Sequence, residues 1–469
     1  MSRRGCLWVP GKEKRAPKGT EELSAKERRS SVDIIIAGAG RVGFNLARTL
    51  CVTHNVTVID RNREALQRLQ ESLDILAIHG DIEDPETYGK LMDRESDLFI
   101  AVTDLDEANL ISTLIADDVI EVDHKIIRLR NEFFAKSSIR QKLGIDDAVF
   151  PMRITSQTVA TLLDYPKANN VKHFKYTDLK LLSVRVGSDA EKIDIEPDGF
   201  AIVGIEREKT FFIPGPDETV MADDLLYLFG EEKPIKELCS KLEKEAPAVI
   251  ERCVVFGGGD LGVSIAKALV ERGKSVKLVE KDIRLCRRAE ESLEGEAMTI
   301  NCKYGTVGLF EEEGLGYADM MVAATDNDEY NIIKSLEAKE HGIKRVVAVN
   351  NEMEYYNLMH SLGIVVVRGP KMSAYNAIME SIYSGGVVTE RRFCGGKGIV
   401  FLRKIFPGSE LIGRSIKPPK RLKEMKCFVV RDNRLTALVE KMDVEEGDVV
   451  TAFCSVEIEK SVKEWIYGL

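Results

Sequence analysis

Two glycine-rich turns contain the residues that could bind a nucleotide. In the first turn, Gly38, Gly40 and Gly43 follow the apolar run 32–37, and Asp60 ends the next apolar run. Gly38 permits a tight strand-to-helix turn, Gly40 leaves room for a pyrophosphate, and Gly43 allows the helix to pack closely on the strand. A carboxylate at position 60 could accept hydrogen bonds from both ribose hydroxyls and would repel a 2′-phosphate. The pattern therefore favours NAD over NADP.

The same pattern recurs in the second half of the chain. Gly257 follows the apolar run 254–256, and Glu280 ends the run 276–279. Three pairs of landmarks have nearly the same offset: Gly38 and Gly257 (219 positions), Asp60 and Glu280 (220), and Thr103 and Thr325 (222). A near-constant offset over three landmarks indicates an internal duplication of about half the chain.

Further candidate binding residues follow other apolar runs. They lie at the carboxyl ends of the predicted strands, where open α/β sheets bind their ligands. The full predicted set is Gly38, Ala39, Gly40, Arg41, Val42, Asp60, Gly80, Asp81, Thr103, Asp104 and Arg128 in the first half, and Gly257, Gly258, Gly259, Asp260, Leu261, Glu280, Thr325 and Asp326 in the second. No catalytic residue is predicted. The six histidines lack ligand spacing, and no Cys-x-x-Cys pair occurs, so no metal site is predicted either.

Short apolar runs alternate with helical patterns on both sides of this duplication. In the first half, strands are predicted at 32–37, 56–59, 75–78, 98–102, 126–129 and 148–150. Such alternation is typical of a parallel sheet covered on both faces, whereas 170–230 and 398–469 contain short β-rich runs. We predict an α/β protein with two Rossmann-type parallel-sheet domains, each followed by a small α+β domain. The predicted segments are a basic tail at 1–31, Rossmann domains at 32–151 and 250–370, and small domains with their linking helices at 152–235 and 371–469.

Composition and charge exclude several classes of protein. The chain has 469 residues, a net charge of -10 and a pI near 5.5, which argues against nucleic acid or anionic lipid as a partner. No apolar run approaches the roughly 20 residues that span a bilayer. Nine scattered cysteines indicate reduced thiols in a cytosolic protein. Residues 1–31 carry nine Lys and Arg against four Glu and are predicted to be disordered.

Both halves resemble the RCK (TrkA-N) domain followed by a TrkA-C domain, and the tandem arrangement is similar to the TrkA-type regulators of potassium uptake. The resemblance rests on the two glycine turns and on further segments in the same order: Val58-Ile59-Asp60, Gly80-Asp81, Ala101-Val102-Thr103-Asp104, Arg128 and Val149-Phe150-Pro151, then Glu280, Ala324 to Glu329, Asn331 and Arg368-Gly369-Pro370. It implies a non-enzymatic, nucleotide-sensing subunit that self-associates as a dimer or tetramer ring. Its implied partner is an integral, TrkH- or TrkG-like potassium-translocating subunit at the inner face of the membrane.

Three points stay open at the level of sequence. NAD(H) is favoured as the ligand, but Asp60 would serve the ribose of ATP or ADP equally well. The alternative function is an NAD-dependent oxidoreductase, which would need a general acid or base over the nicotinamide, and the small segments offer one histidine, His173. Where this type of domain places a Gly-Asp pair after the third strand, the second half has Lys303-Tyr304. We therefore expect weaker or different nucleotide occupancy in the second half.

Overall fold

The computed structural model describes residues 32–469, except 92–95, 132, 137, 175, 189–198, 243–248, 303–307, 385–387 and 420–423. The predicted tail at 1–31 and the pair Lys303-Tyr304 lie outside the described residues. The chain forms two compact units, one made of residues up to 103 with 107–125, the other of 104–106 with 126–469. Each unit is described by itself.

The first parallel sheet has the strand order β3-β2-β1-β4-β5-β6. Its strands are β1 (Asp33–Ala37), β2 (Asn55–Asp60), β3 (Leu76–His79), β4 (Ser96–Ala101), β5 (Val122–Arg128) and β6 (Asp147–Val149). The helices of this half are α1 (Arg41–Leu50), α2 (Arg63–Ser72), α3 (Asp106–Val119), α4 (Phe133–Lys136), α5 (Ile139–Lys142) and α6 (Pro151–Thr161), with a 3₁₀ helix at Pro85–Leu91. The order reverses between β1 and β4, which is the switch point of a doubly wound sheet.

The first small sheet is antiparallel, with the order β10-β9-β11-β8-β7. It consists of β7 (Asn170–His173), β8 (Lys180–Arg185), β9 (Phe200–Arg207), β10 (Thr210–Phe212) and β11 (Leu225–Gly230), and it is followed by α7 (Glu232–Leu242).

The second parallel sheet repeats the topology of the first, with the order β14-β13-β12-β15-β16-β17. Its strands are β12 (Arg252–Phe256), β13 (Ser275–Glu280), β14 (Met298–Asn301), β15 (Met320–Ala323), β16 (Arg345–Asn350) and β17 (Val365–Arg368). The helices are α8 (Asp260–Val270), α9 (Ile283–Leu293), α10 (Leu309–Glu312), α11 (Asp328–Glu340), α12 (Tyr356–Ser361) and α13 (Pro370–Ser384), with 3₁₀ helices at Leu315–Tyr317 and Met353–Tyr355.

The second small sheet has the order β18-β19-β24-β21-β22, and β20 pairs separately with β23. The elements are β18 (Val388–Phe393), β19 (Gly398–Lys404), β20 (Ser415–Ile416), β21 (Met425–Arg431), β22 (Arg434–Ala437), β23 (Met442–Asp443), β24 (Val449–Ser455) and α14 (Glu459–Tyr467), with 3₁₀ helices at Cys394–Gly396 and Val456–Ile458. These sheets confirm the predicted fold class, while the predicted domain boundaries stay a prediction.

The two small sheets share one hydrophobic core. The ring centroid of Phe229 from the first sheet lies 4.9 Å from that of Phe453 in the second, and Tyr227 lies 5.1 Å from Phe393. All four residues belong to a single buried cluster. Because neither sheet could bury this face alone, the two small domains stabilise each other within one chain.

The helix α6 connects the halves of the chain. Val159, in this helix, is buried in the core of the second parallel sheet, together with Leu162 just beyond it. The hydroxyl oxygens of Thr155 in α6 and Ser373 in α13 lie 3.0 Å apart. The segment after the first Rossmann series is therefore part of the core of the second. Within the described residues, no helix combines the length and apolar character needed to cross a membrane.

Candidate functional site

The first glycine turn has the backbone geometry that its sequence predicts. Gly38 has a φ of +116°, a conformation that side chains disfavour. A Cβ atom added to Gly43 would lie 1.8 Å from the carbonyl oxygen of Gly38, so α1 can approach the turn only with glycine there. A Cβ atom added to Gly40 would meet no atom within 4 Å. Gly38 and Gly43 are therefore required by the backbone geometry, whereas Gly40 leaves open space next to the helix.

The N-terminus of α1 is open to an anion. Its N-cap residue is Gly40, which provides no side-chain hydrogen bond, whereas Asn62 caps the next helix by accepting from the Ala65 N–H. The first N–H groups of a helix have no partner within the helix, and they favour negative charge. Arg41 is exposed at the first helical position, and the side chain of Val42 is buried. A phosphate beside Gly40 would thus meet backbone N–H groups and a neighbouring guanidinium.

The carboxylate of Asp60 is held by two backbone N–H groups. Ala39 donates to Oδ2 at 2.6 Å, and Asn62 donates to Oδ1 at 2.7 Å. The carboxylate thereby fixes the turn to the end of β2, and the remaining lone pairs of both oxygens could accept ribose hydroxyls. Asp60 therefore has a structural role that the sequence pattern did not reveal, besides its predicted role in binding.

The other first-half residues occupy the ends of β3 and β4. Gly80 lies against Thr87, because a Cβ atom at Gly80 would come within 2.5 Å of the threonine side chain. Asp81 is exposed and its Oδ1 accepts the Glu83 N–H at 3.0 Å. The hydroxyl of Thr103 donates to Oδ1 of Asn109 at 2.6 Å, so that this side chain is oriented by the start of α3.

Asp104 and Arg128 form an ion pair in the second compact unit. The Arg128 guanidinium lies 2.8 Å from Oδ1 of Asp104, with the arginine side chain buried and the aspartate exposed. Nearby, both oxygens of the buried Asp106 accept backbone N–H groups, from Arg130 at 2.7 Å and Asn131 at 2.8 Å. The carboxylate of Asp106 thus fixes the loop after β5, a role the sequence analysis did not assign.

The second glycine turn has the same backbone. Gly257 has a φ of +115°, and a Cβ atom at Gly262 would lie 1.8 Å from the Gly257 carbonyl oxygen. Gly259 is the N-cap of α8, without a side-chain hydrogen bond, and a Cβ there would meet nothing within 4 Å. The side chain of Leu261 is buried. Both halves therefore present a helix start that no side chain caps.

The acidic side chain of the second half, Glu280, is one methylene longer than Asp60, and a glycine in the turn makes room for it. Glu280 accepts the Gly258 N–H at 2.6 Å and the Asp282 N–H at 2.8 Å, as Asp60 does in the first half. A Cβ atom on Gly258 would lie only 2.8 Å from Cβ and Cγ of Glu280. Position 258 must therefore be glycine next to Glu280, whereas Ala39 fits beside the shorter Asp60.

The charge at the first helical position is reversed between the halves. Asp260 stands in α8 where Arg41 stands in α1. Its carboxylate lies 3.3 Å from the Arg288 guanidinium and 3.4 Å from that of Arg130. An anion beside Gly259 would have to approach this carboxylate, so Asp260 disfavours a pyrophosphate in the second half.

The remaining predicted residues of the second half repeat the first closely. The hydroxyl of Thr325 donates to Oδ1 of Asn331 at 2.7 Å, Asp326 is exposed, and Asp328 is buried beneath the backbone N–H groups of Asn351 and Glu352. The sequence analysis assigned no role to Asn109, Asp106 or Asp328. The offset of 222 positions that joins Thr103 to Thr325 also joins Asn109 to Asn331 and Asp106 to Asp328 and could have revealed them.

The hydrogen-bond register corrects one comparison made from the sequence. The Gly80 N–H donates to the Asp60 carbonyl at 3.2 Å, and in the second half the Cys302 N–H donates to the Glu280 carbonyl at 3.0 Å. Cys302 therefore takes the place of Gly80, and the comparison of Gly80-Asp81 with Lys303-Tyr304 was one residue out of register. The difference between the halves at this strand end begins at Cys302.

The fold and the two turns define a tandem protein with two Rossmann domains of the dinucleotide-binding type. The family model of the TrkA-N domain matches residues 34–151 and 253–370, which is half of the chain. The chain belongs to this family and is a homologue of the TrkA potassium uptake proteins. This membership confirms the predicted resemblance. It also confirms the predicted class, which is a regulatory protein and not an enzyme.

Several relatives carry the same description. A "Trk system potassium uptake protein TrkA homolog" from Archaeoglobus fulgidus is 29% identical over 392 residues, covering 82% of this chain and 88% of the relative. "Trk system potassium uptake protein TrkA homolog 2" from Methanosarcina mazei is 26% identical over 449 residues, covering 92% and 99%. TrkA of Vibrio alginolyticus is 27% identical over 370 residues, covering 76% and 80%.

Solved structures share the fold over most of the chain. The GsuK channel bound to NAD matches with a TM-score of 0.58 at 17% identity, over 94% of this chain and 80% of that one. The GsuK RCK domain matches with a TM-score of 0.57 at 16% identity, over 94% and 96%. At these identities the likeness concerns the fold alone.

Proposed function

We propose that the chain is a nucleotide-sensing regulatory subunit of a Trk-type potassium transporter or channel. One observation carries the proposal. In a chain homologous to TrkA, the first glycine turn combines an uncapped helix start with a carboxylate held in place by two backbone N–H groups. This arrangement is suited to binding the pyrophosphate and ribose of a nucleotide, and no general acid or base is needed for such a role.

The ligand we propose for the first half is NAD(H), with ATP or ADP as alternatives. Asp60 would accept the ribose hydroxyls, and Arg41 with the start of α1 would meet the phosphates. Gly80, Asp81 and Thr103 complete the proposed set in the first unit, while Asp104 and Arg128, which belong to the second unit, stay a prediction from the sequence. The GsuK channel, which shares this fold, has been obtained bound to NAD, so the fold can accommodate the first of these ligands.

Self-association is the second part of the proposal. The helix α3 exposes Ile111 and Leu114, and the equivalent helix α11 exposes Ile333, of which 58% is accessible. Apolar side chains on corresponding helices of both halves are suited to contacts between copies of the chain. We propose that such contacts build a dimer or tetramer ring beneath an integral, TrkH- or TrkG-like subunit. The chain would then lie in the cytoplasm, peripheral to the membrane.

Control of transport requires that nucleotide binding changes the ring. A ligand shifts an equilibrium between two ring states only if it binds them with different affinities. The shared core of the small sheets and the position of α6 join the second Rossmann series to both small domains. A change in the position of the second Rossmann domain would therefore be transmitted to both small domains.

Two measurements test the proposal. Calorimetric titration of the purified chain with NADH, NAD⁺, ATP and ADP should give saturable binding for at least one of them, and no binding of any would contradict the sensing role. Fractionation should recover the chain with membranes only in cells that contain the integral partner. Equal recovery from cells lacking all potassium transporters of this class would contradict the role as a subunit.

A further inference from the structure

A small cavity lies at the junction of three domains. Its volume is about 20 Å³. It is lined by β7, β8 and β11 of the first small sheet, by α12 and β17 of the second Rossmann series, and by Phe393 and Cys394 of the second small domain. A polar cavity of this size has room for a single water molecule or a small ion.

The residues that line this cavity carry hydrogen-bond donors and one cation, but no carboxylate. The cation is Lys172 of β7, and His360 of α12 also lines the cavity. The other polar lining residues are Asn169, Asn170, Ser183, Tyr227, Tyr356 and Cys394. A site built from an ammonium group, amides and hydroxyls, with no acidic side chain in its lining, has the chemistry of an anion site.

Positive charge around Lys172 exceeds the negative charge. Burial, together with the neighbouring guanidiniums of Arg368 and Arg391, lowers the pKa of Lys172 well below its usual value. The acidic neighbour is Glu380, and its carboxylate already forms an ion pair with Arg391. A partly buried cation among cations is costly unless an anion accompanies it.

His360 adds a second donor. Its Nδ1 lies 3.2 Å from the Arg185 guanidinium, which can only donate, so Nδ1 accepts and the ring proton resides on Nε2. Burial and the charge of Arg185 lower the pKa of His360, which keeps the ring neutral. Nε2 is buried and has no hydrogen-bond partner among the described residues. A buried N–H group without a partner is rare in folded proteins and costs stability.

Neighbouring acidic groups do not neutralise this site. Glu206 of β9 is engaged by the Lys397 ammonium at 2.6 Å. Within the described part of the chain, the cavity therefore combines Lys172, whose acidic neighbour Glu380 is paired with another cation, and a buried donor without a partner.

We propose that the cavity lined by Lys172 and His360 binds a small monovalent anion of the halide class, such as chloride. Its volume of about 20 Å³ suits a single small spherical ion better than a tetrahedral oxyanion. A bound halide would neutralise Lys172 and accept from the donors of the lining. Because the cavity touches three domains, its occupancy would stabilise their junction, independently of nucleotide binding.

The test compares anions at constant ionic strength. The unfolding temperature of the full chain is measured in sodium gluconate with increasing chloride or bromide, and with sulfate as the oversized anion. We expect a saturable rise with chloride and bromide, whereas sulfate, which stabilises folded proteins by exclusion from their surface, should give only a rise that does not saturate. Equal unfolding temperatures in chloride and gluconate, or a saturable rise with sulfate equal to that with chloride, would overturn the proposal.

Variants assign the effect to the cavity. Lys172→Met should abolish the chloride-dependent rise, whereas Lys241→Met, at an exposed lysine of α7, should leave it unchanged. If the Met variant does not fold, Lys172→Gln replaces it. Crystals grown in bromide should show an anomalous peak in the cavity of the wild type, and its absence there would overturn the proposal.

Discussion

The two glycine turns share a backbone and differ in the groups that a nucleotide would meet. Both first glycines have φ near +115°, and both carboxylates accept the same pair of backbone N–H groups. In the first half, however, the helix begins with Arg41, and in the second with Asp260. The residues that form the turn were kept in both copies, while the charge beside the phosphate position was reversed.

A second difference lies at the end of the fifth strand of each sheet. The first half has Arg128, paired with Asp104, and the second has Asn350 at the equivalent position, 222 residues later. At these two positions the first half has the cations Arg41 and Arg128, whereas the second half has Asp260, itself paired with Arg288 and Arg130, and Asn350. The core of the second parallel sheet also encloses Val159 of α6, so this domain helps to hold the segment that links the halves.

The two small domains, in contrast to the two Rossmann domains, contain the same pair of charged residues. In the first, Arg207 forms two hydrogen bonds with the buried Asp224, both at 2.9 Å. In the second, Arg431 forms the same two bonds with the buried Asp448, at 2.9 and 2.8 Å. Each pair closes a turn of its sheet, and each is separated from its copy by 224 positions. The Arg–Asp pair of the small domains is thus present in both halves, whereas Asn350 stands in the second half where the first has Arg128.

The largest expected effect tests this equivalence of the small domains. Arg207→Met and Arg431→Met each leave a buried carboxylate without its partner, which should lower the free energy of unfolding by about 3 kcal/mol. Denaturant unfolding of the two variants measures the loss. Lys236→Met, at an exposed ion pair, should cost less than about 1 kcal/mol and serves as the control. A clearly smaller loss for one of the two arginines would show that the small domains are not equivalent.

The second effect concerns nucleotide binding in the first half. Asp60→Asn removes a charged acceptor and should weaken binding by about 1.5–3 kcal/mol. Calorimetric titration measures this loss, and Glu280→Gln is the matched control in the second half. We expect the dissociation constant of the stronger site to be unchanged in the control. If Glu280→Gln raised the dissociation constant of the tighter site and Asp60→Asn did not, the tighter site would lie in the second half.

The local features of both sites could be predicted from the sequence. The strands, the glycine turns and the acidic residue after the second strand follow from short patterns of residues, and the structure contains all of them. The contact that makes Gly43 necessary involves a residue only five positions away, Gly38. Contacts between residues a few positions apart can be recognised from short sequence patterns.

Long-range relations could not be predicted. Cys302 is the structural equivalent of Gly80. This equivalence depends on the register of β14 against β13, which the comparison of the two sequences placed one residue out. The burial of Val159 in the second core depends on packing across about 100 residues of chain. The charged surroundings of Lys172 come from β17, β18 and α13, which are distant in sequence.

The third effect tests why the turns differ. Gly258→Ala would place a Cβ atom 2.8 Å from the side chain of Glu280, and should lower the free energy of unfolding by about 1–3 kcal/mol. Adding Glu280→Asp recreates the arrangement of Ala39 with Asp60 and should recover most of the loss. A double-mutant cycle by denaturant unfolding measures this coupling. Additive effects of the two substitutions would show that glycine at 258 has another cause.

The smallest effect is the exchange of charge at the helix start. Asp260→Arg gives the second half the cation of the first and removes a carboxylate from the phosphate position, which should strengthen nucleotide binding there by about 1 kcal/mol. Titration should then show a second binding event or a tighter one, while Arg41→Asp should weaken the first site by a similar amount. Asp260→Asn separates the two contributions, because it removes the carboxylate without adding a cation. The carboxylate at position 260 also pairs with Arg130 and Arg288, so unfolding curves must show that the variants remain folded. Unchanged binding in folded Asp260→Arg would mean that the charge at this position does not distinguish the halves, and that the difference lies at Asn350 or Cys302.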